Sequence, residues 1–346
     1  MASAVMPRRR ATLRRANTGR STSFESCLDR ADSAGTADVL LAAAQISPDP
    51  SMLTRSGCGV VSPDGAESAS MELEHYTVHE QIGRGTFGAV FRAVDRRTET
   101  VVAVKVPKNR RAGKSLEGIA GQGLRHENIA ALLEVVVAND VLFLVYEMVR
   151  GQDLLDWLHD HCVSDAAGNV LRYTCSARDM RAISVHVARA LAHCHASGVA
   201  HRDVKPENIM VTQGAGAGAA GALAAKLIDF GLAHCTTAAN RGCSAVRVGS
   251  IDYAAPELFV DVGPVDTKAT DVWSYGVLLY VLHAHNLPPL LRLGRDDKFV
   301  FHSFKGCPAD ISRNAARAID RCLVIEPAGR VSMRRLLRRS WFKMDE

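Results

Sequence analysis

Apolar residues change their spacing once along this chain, and that change limits the fold more than any other feature. From Tyr76 onward they alternate with polar residues in short runs separated by turns, which is typical of β-strands. After Gly151 they recur about every 3.6 residues, which is typical of α-helices. The sequence therefore predicts an α+β fold with two lobes, a small antiparallel β-sheet lobe with one helix near 115–125 and a larger, mainly α-helical lobe. The expected strands are YTVHEQIG, AVFRAVD, TVVAVKVP, LLEVVVA and LFLVYEMV, and the expected helices cover 153–161, 177–197, 267–285 and 312–323.

Charge is distributed unevenly along the 346 residues. The net charge is +5, but residues 1–23 hold six Arg and no acidic residue, so the remainder of the chain carries −1. Because no basic field covers the folded part, the sequence argues against nucleic-acid binding. Residues 1–70 are rich in Ser, Thr, Ala, Arg and Gly without sustained periodicity, and we expect them to form a disordered tail.

The Arg-rich start of this tail is compatible with three roles that the sequence leaves open: an organelle transit peptide, a nuclear localisation or docking patch, and a solvated extension. The nine Cys are odd in number and show no C-x-x-C spacing, which favours a reducing compartment over a disulfide framework. No apolar run approaches the roughly 20 residues that a membrane span needs. We therefore expect a cytoplasmic or nuclear protein, with organelle import as the alternative.

A dense group of charged residues, HRDVKPENIM at 201–210, lies between a helical stretch and an apolar strand. Within it, the carboxylate of Asp203 is suited to accept a hydroxyl proton, and Lys205 is suited to neutralise transferred negative charge. Asn208 and a second acid, Asp229 in LIDFGLA, carry the oxygen ligands that a hard cation such as Mg²⁺ prefers. These residue types together indicate chemistry on a phosphate.

A glycine-rich segment, IGRGTFGAV at 82–90, lies between two expected strands. Its glycines allow the backbone to approach a polyphosphate closely, because no Cβ is in the way. A dinucleotide-binding fingerprint would require a helix to start at the third glycine, but the chain continues as a strand. The next strand, VAVK, then places Lys105 toward the same cleft.

Six motifs, GRGTFGAV, VAVK, HRDVKPEN, DFG, AAPE and DVWSYGV, follow one another in this chain. In order and approximate spacing they resemble those of the eukaryotic protein kinases, and KPEN resembles the Ser/Thr type. The resemblance covers 76–343, with lobes at 76–150 and 151–343, and in general layout it is most similar to the calcium/calmodulin-dependent group. It implies a two-lobed fold, ATP with Mg²⁺ (Mn²⁺ as the alternative ion), and transfer of phosphate to Ser or Thr hydroxyls of protein substrates.

The resemblance also implies which residues hold the nucleotide. The glycine loop would cover the phosphates, and a hinge behind the bulky Tyr146 would read the adenine edge through its backbone. Lys105 would hold the α- and β-phosphates while it pairs with Glu117. The full implied set is Ile82, Gly83, Gly85, Gly88, Val90, Ala103, Lys105, Glu117, Glu147, Val149, Asp153 and Met210.

The same resemblance assigns the chemical and scaffold roles. Asp203 would orient the acceptor hydroxyl and Lys205 would stabilise the transferring phosphoryl group, while Asn208 and Asp229 would hold the metal. Ser250 would bridge the catalytic Asp and Lys. Two further scaffold contacts are implied, a pair between Glu257 and Arg330 and a brace on the catalytic loop from Asp271.

The helix that should carry Glu117 departs from the family pattern. Glu117 follows Lys105 by only twelve residues, and Gly118, Gly121 and Gly123 crowd the segment. Each glycine costs a helix up to about 1 kcal/mol relative to Ala, so we expect this helix to be short, mobile or displaced. Two alternatives to a constitutively active enzyme therefore stay open: a pseudokinase scaffold that binds nucleotide or partners with little catalysis, and a kinase that needs an activating partner.

Overall fold

A computed structural model of the chain describes a defined set of its residues. They are 53–56, 71–85, 88–108, 116–138, 141–166, 168, 170–213, 223–235, 242–243, 249–259, 263–293, 299–301, 304, 306–309 and 311–343. The predicted tail, 1–70, therefore lies outside the described residues except at 53–56. The Arg-rich segment 1–23 is among those that fall outside.

A seven-stranded sheet forms the first lobe, with strand order β1-β6-β7-β5-β4-β3-β2. Its strands are β1 Leu53–Ser56, β2 Met71–Leu73, β3 Tyr76–Gly85, β4 Gly88–Asp95, β5 Thr100–Pro107, β6 Leu132–Ala138 and β7 Val141–Glu147. All neighbours are antiparallel except β1, which runs parallel to β6. The five strands expected from the sequence are all present, so the predicted antiparallel sheet is confirmed.

Two strands lie where the sequence predicts none. β1 falls within the expected tail, and β2 precedes the expected boundary at Tyr76. Both pair with strands at the two ends of the sheet, where backbone donors and acceptors would otherwise be unpaired. Backbone pairing of this kind does not require alternating apolar residues, which is why periodicity did not reveal it.

The second lobe is mainly helical, as predicted. The first-lobe helix is α1 Leu116–Gly121, and the second-lobe helices are α2 Leu154–Asp160, α3 Ala177–Ala196, α4 Thr267–Ala284, α5 Arg313–Cys322 and α6 Met333–Leu336. Side-chain oxygens cap the N-termini of α2 to α6 by accepting backbone N–H groups, which explains why each helix starts where it does. Among the described residues, no helix combines the length and apolar character needed to cross a membrane.

Short strands complete the second lobe and connect its helices. They are β8 Gln152–Asp153, β9 Cys162–Ser164, β10 Val170–Tyr173, β11 Val199–Ala200, β12 Ile209–Gln213, β13 Leu223–Leu227, β14 His234–Cys235, β15 Gly242–Cys243, β16 Val265–Asp266, β17 Leu291–Leu293 and β18 Phe299–Phe301. The hairpin of β12 and β13 matters most for the site, because Asn208 precedes its first strand and Asp229 follows its second.

A buried ion pair links two distant segments of the second lobe. Both terminal nitrogens of Arg330 donate to the carboxylate of Glu257, at 2.6 and 2.7 Å. Arg330 also donates to the carbonyl oxygens of Ala269 and Val324 and lies over the ring of Trp273. The predicted pair is therefore confirmed, and its forked geometry uses the planar guanidinium fully.

Replacing Arg330 with Met is expected to lower the free energy of unfolding by about 3–5 kcal/mol, because Glu257 would stay buried without a partner. Arg330→Lys is expected to recover little of this loss, since one ammonium cannot reproduce the fork. Urea denaturation measures both. Arg189→Met, which breaks a more exposed pair with Glu127 at 3.6 Å, serves as the control. An Arg330→Met protein as stable as this control would contradict the prediction.

Candidate active site

One face of the sheet gathers several of the predicted nucleotide-binding residues. Val90 lies opposite Lys105 in the pairing of β4 with β5, and Ala103 lies opposite Tyr146 in the pairing of β5 with β7. Directly paired residues of adjacent strands point to the same face, as do residues two apart on one strand. These four side chains therefore share a face, and because Lys105 reaches Asp229 of the second lobe, that face borders the cleft.

The ammonium of Lys105 is held by two carboxylates, one from each lobe. Its Nζ lies 2.6 Å from Glu117 Oε1 and 2.7 Å from Asp229 Oδ1. Lys105 and Glu117 are each only 5% exposed. Burial opposes the charged form of Lys105, but the two carboxylates outweigh it and raise the pKa, so this lysine stays protonated.

Burial opposes ionisation of both carboxylates, but their net pKa shifts have opposite signs. Burial raises the pKa of Glu117 above its ordinary value, with Lys105 acting against that rise. For Asp229, burial also opposes ionisation, but the charge of Lys105 and the hydrogen bonds from Lys105 and Gly231 prevail and lower the pKa. Asp229 is therefore the more firmly ionised of the two, which suits a residue predicted to hold a metal ion.

The helix that carries Glu117 is short, as predicted, but it is not displaced. It spans six residues, Leu116–Gly121, and places Glu117 in contact with Lys105. Gly121 explains this position, because a Cβ added there would lie 3.0 Å from Cδ2 of Leu132 on β6. The missing side chain lets the helix approach the sheet, so the glycine that weakens the helix also allows its docking.

Gly121→Ala is expected to lower the free energy of unfolding by about 1 kcal/mol. Overpacking against Leu132 costs about 1–3 kcal/mol, which exceeds the gain of about 1 kcal/mol in helix propensity. The matched control is Gly123→Ala, since a Cβ at that position meets nothing within 4 Å. Denaturant titration of both proteins tests this. Equal stability of the two variants would show that the close approach at Gly121 does not matter.

The carboxylate of Asp203 is at the centre of a hydrogen-bonded group on the charged loop. Its Oδ2 accepts from Asn208 Nδ2 at 2.8 Å and lies 2.9 Å from Lys205 Nζ. Its Oδ1 accepts from the backbone nitrogen of Ser250 at 3.2 Å, and the hydroxyl of Ser250 in turn accepts from Lys205 at 2.9 Å. The predicted bridge through Ser250 is therefore confirmed, and Asp203 and Lys205 are fixed relative to each other.

Asp271 holds the backbone of the same loop in place through hydrogen bonds. This fully buried carboxylate accepts from the backbone nitrogens of His201 and Arg202, at 2.8 and 2.7 Å, and contacts the ring of His195. Arg202 adopts a left-handed conformation, with φ +68°, which is costly for a residue with a side chain. The two hydrogen bonds to Asp271 compensate for that cost, and the predicted brace is confirmed.

Asn208 and Asp229 lie on neighbouring segments and fit a divalent cation. The backbone nitrogen of Ile228 donates to the carbonyl oxygen of Asn208 at 2.9 Å, and Asp229 adopts φ +62°, an unfavourable conformation that concentrates at functional sites. Amide and carboxylate oxygens suit Mg²⁺, which usually takes few protein ligands together with substrate phosphates. Within the described ranges, no cluster of three or more His, Cys, Asp and Glu could hold a metal without such help.

The glycine-rich segment supplies the end of β3 and the start of β4. Gly83 pairs with Val90 and Gly85 with Gly88, while the intervening residues 86–87 lie outside the described part. A Cβ at Gly88 would overlap the carbonyl oxygen of Val106, so this position requires glycine. Ile82 is 48% exposed, an unusual state for a large apolar side chain that contact with a planar ligand would relieve.

Glu147, in the predicted hinge, contacts both lobes. Its backbone nitrogen donates to the carbonyl oxygen of Ala131, and its carboxylate accepts from the nitrogen of Ala131 at 2.9 Å and from Lys226 at 2.7 Å. Two residues later, Val149 is partly buried at the start of the crossing between the lobes. The side chain of Glu147 therefore has a structural role. Its backbone carbonyl group is the part that would bind adenine.

Asp153 and Met210 lie beside each other in the pairing of β8 with β12. The carboxylate of Asp153 caps α2 by accepting from the nitrogen of Asp156 at 2.9 Å, a role that the sequence analysis did not foresee. Gly151 precedes this pair, and a Cβ there would overlap the carbonyl oxygen of Val211. The floor of the predicted nucleotide site is therefore positioned by a close backbone contact.

Comparison with known proteins now decides the family, because a model of the protein kinase domain matches residues 76–342. The chain belongs to the protein kinase family. This agrees with the two-lobed fold, while the domain bounds, 76–343, stay a prediction. The calcium/calmodulin-dependent subgroup and the roles of single site residues stay predictions.

Several curated kinases are similar to this kinase domain. The carbon catabolite-derepressing protein kinase of Saccharomyces cerevisiae is 29% identical over 82% of the chain and 42% of its own length. The CBL-interacting protein kinase 24 of Oryza sativa subsp. japonica is 33% identical over 80% of the chain and 58% of its own length. The CBL-interacting serine/threonine-protein kinase 3 of Arabidopsis thaliana is 32% identical, over 78% and 59%. The chain thus spans about half the length of these relatives.

Sequence reasoning missed one contact in this kinase site. The hydroxyl of Tyr146 donates to Glu117 Oε1 at 3.0 Å. The family resemblance implied that Tyr146 lies in front of the hinge but implied no partner for its hydroxyl. The sequence carries no signal for this contact, because the strand register that sets Tyr146 opposite Ala103, on the face of Lys105, is known only from the structure.

Proposed function

We propose that this chain is a Ser/Thr protein kinase that transfers the γ-phosphate of ATP to hydroxyls of protein substrates. The observation that carries the proposal is the double contact of Lys105 with Glu117 and Asp229, at 2.6 and 2.7 Å. This contact supports the proposal, because Lys105 would bind phosphate and Asp229 would bind the metal ion. The names of the similar proteins, all kinases, support the same activity.

Asp203 is the residue best placed to act on the acceptor hydroxyl. Three donors, on Asn208, Lys205 and Ser250, fix the orientation of its carboxylate before any substrate arrives. Such a fixed carboxylate can orient a Ser or Thr hydroxyl and accept its proton as the oxygen attacks the phosphate. Catalysis would then consist of positioning and electrostatic stabilisation, with little reorganisation of the protein.

The two lysines would divide the remaining electrostatic work. Lys105 would bind the non-transferred phosphates, while Lys205 would stabilise charge on the transferring group. A bound Mg²⁺ would supply further positive charge at the phosphate oxygens, and Asn208 and Asp229 are the residues that would hold it. Mn²⁺ is the alternative ion, because it accepts the same oxygen ligands.

The test is phosphate transfer by the purified full chain, with γ-labelled ATP, Mg²⁺ and a basic protein that contains Ser, Thr and Tyr. We expect label on Ser or Thr after hydrolysis and phosphoamino-acid analysis, and loss of label when the metal is chelated. Label on Tyr alone would refute the Ser/Thr assignment. ATP binding without any transfer would support the pseudokinase alternative instead. That alternative rests on the glycines that weaken this helix, whereas α1 holds Glu117 against Lys105.

An activating partner is a further part of the proposal. Two of the similar kinases are named CBL-interacting, and each extends well beyond the matched region. The short α1 is the element on which a partner would act, because so short a helix gains little stability of its own. We propose a cytoplasmic or nuclear location, with organelle import through residues 1–23 as the alternative, although those residues lie outside the described part.

A further inference from the structure

The hydroxyl of Tyr146 makes a buried contact that the proposed catalytic steps do not use. It donates to Oε1 of Glu117 at 3.0 Å, the same oxygen that lies 2.6 Å from Lys105 Nζ. Tyr146 is 9% exposed and Glu117 is 5% exposed. A tyrosine hydroxyl enclosed in this way needs a hydrogen-bond partner, and a carboxylate is a strong acceptor. Glu117 therefore receives two donors, one charged and one neutral, from neighbouring strands.

The sheet holds Tyr146 more firmly than α1 can hold Glu117. Tyr146 is on β7, between β5 and β6, and its ring packs in an apolar cluster with Leu132, Leu142 and Leu144. By contrast, α1 has six residues, two of them glycine. A helix of this length is not stable by itself, so contacts made by its side chains must fix its position.

We propose that Tyr146 is a positioning residue for phosphate transfer, which acts by holding Glu117 in place so that Glu117 can orient Lys105. This inference rests on the proposed kinase function and deepens it. In this chain, the hydroxyl of Tyr146 on the sheet fixes the position of Glu117, which a longer and more rigid helix would otherwise do. The three residues form a chain of contacts from β7 through α1 to β5.

The first experiment compares the full chain with its Tyr146→Phe variant. The ring stays, so the shape of the cleft is kept and the KM for ATP is expected to change by less than about twofold. Loss of the hydroxyl removes a hydrogen bond to a charged group, and kcat is expected to fall about tenfold because Lys105 is less precisely oriented. Steady-state kinetics separate the two constants.

The control for stability is Tyr275→Phe. The hydroxyl of Tyr275 is also buried and donates to the carbonyl oxygen of Ser184 at 2.8 Å, outside the contacts described for Lys105, Glu117 and Asp203. Both variants lose one buried hydrogen bond, so both are expected to show a lower Tm. Only Tyr146→Phe is expected to lower kcat. Equal kcat losses in the two variants would mean that Tyr146 affects general stability, and the inference would be wrong.

A double-mutant cycle with Glu117→Ala tests whether Tyr146 acts through Glu117. If it does, adding Tyr146→Phe to Glu117→Ala changes the residual transfer rate by less than about twofold. A further tenfold loss in that background would overturn the inference. The two proposals fail in different ways: an inactive wild-type chain rejects both, whereas an active chain unaffected by Tyr146→Phe rejects the positioning role alone.

Discussion

Asp203→Asn is expected to reduce kcat by about 10²- to 10⁴-fold, the range typical for loss of a positioned acid or base. The amide has nearly the same size, so the loop should keep its shape. It cannot accept a proton, however, and its NH₂ group would be directed toward Asn208 Nδ2, Lys205 Nζ or the nitrogen of Ser250, all of which are donors. The fall in kcat should therefore have two causes, the loss of the proton acceptor and the loss of the fixed orientation of the residue 203 side chain.

Measuring the affinity for ATP distinguishes an effect of Asp203→Asn on catalysis from an effect on nucleotide binding. The contacts of Asp203 are within its own loop and with Ser250, so equilibrium binding of ATP is expected to change by less than about threefold. Asp179→Asn is the control, because Asp179 accepts from Ser176 at the exposed start of α3. A variant of Asp203 that keeps more than a tenth of the wild-type kcat would contradict its proposed role.

Lys105→Met is expected to have the second large effect, on both activity and stability. The rate of phosphate transfer should fall more than about 100-fold, because the ATP phosphates lose the ammonium group that would bind them. The free energy of unfolding should fall by about 3 kcal/mol at pH 7, since Glu117 and Asp229 would face each other without the ammonium between them. Kinetics and urea denaturation of the full chain measure the two effects separately.

The loss of stability in Lys105→Met should depend on pH in a defined direction. Burial already raises the pKa of Glu117, and removal of Lys105 raises it further. The folded variant then binds the Glu117 proton more tightly than the unfolded chain does, so acidification favours its folded state. The stability gap between wild type and Lys105→Met should therefore narrow from pH 7 to pH 5. Lys268→Met, which removes a donor to the carbonyl oxygen of His195, should show no such narrowing.

The sequence predicted those parts of the fold that follow from local patterning. The four long helices end within two residues of the predicted bounds, because apolar spacing and capping residues are both local. The pairing of Lys105 with Glu117 was predicted from spacing within the family motif. The shortness of α1 was predicted, but displacement, one of the three expected alternatives, is not found, because helix propensity counts the cost of Gly121 and not its fit against Leu132.

Contacts that depend on three-dimensional approach could not be predicted. The bond from Tyr146 to Glu117 requires the register of β5 and β7 and the height of α1 above the sheet at once. The capping role of Asp153 was similarly hidden, since the family resemblance assigned that side chain to nucleotide binding. Tyr146 and Asp153 each stabilise the fold and also border the site. A sequence motif indicates only their place at the site.

The close contact at Gly151 has a consequence for laboratory evolution of this domain. Residue 151 cannot gain a side chain without pushing β8 away from β12, and that movement would carry Asp153 and Met210 apart together. A library that randomises all three positions and is selected for an altered nucleotide should therefore return glycine at 151, while 153 and 210 diversify. The breadth of ligands that this cleft can be made to accept is limited by one backbone position outside the predicted nucleotide-binding set.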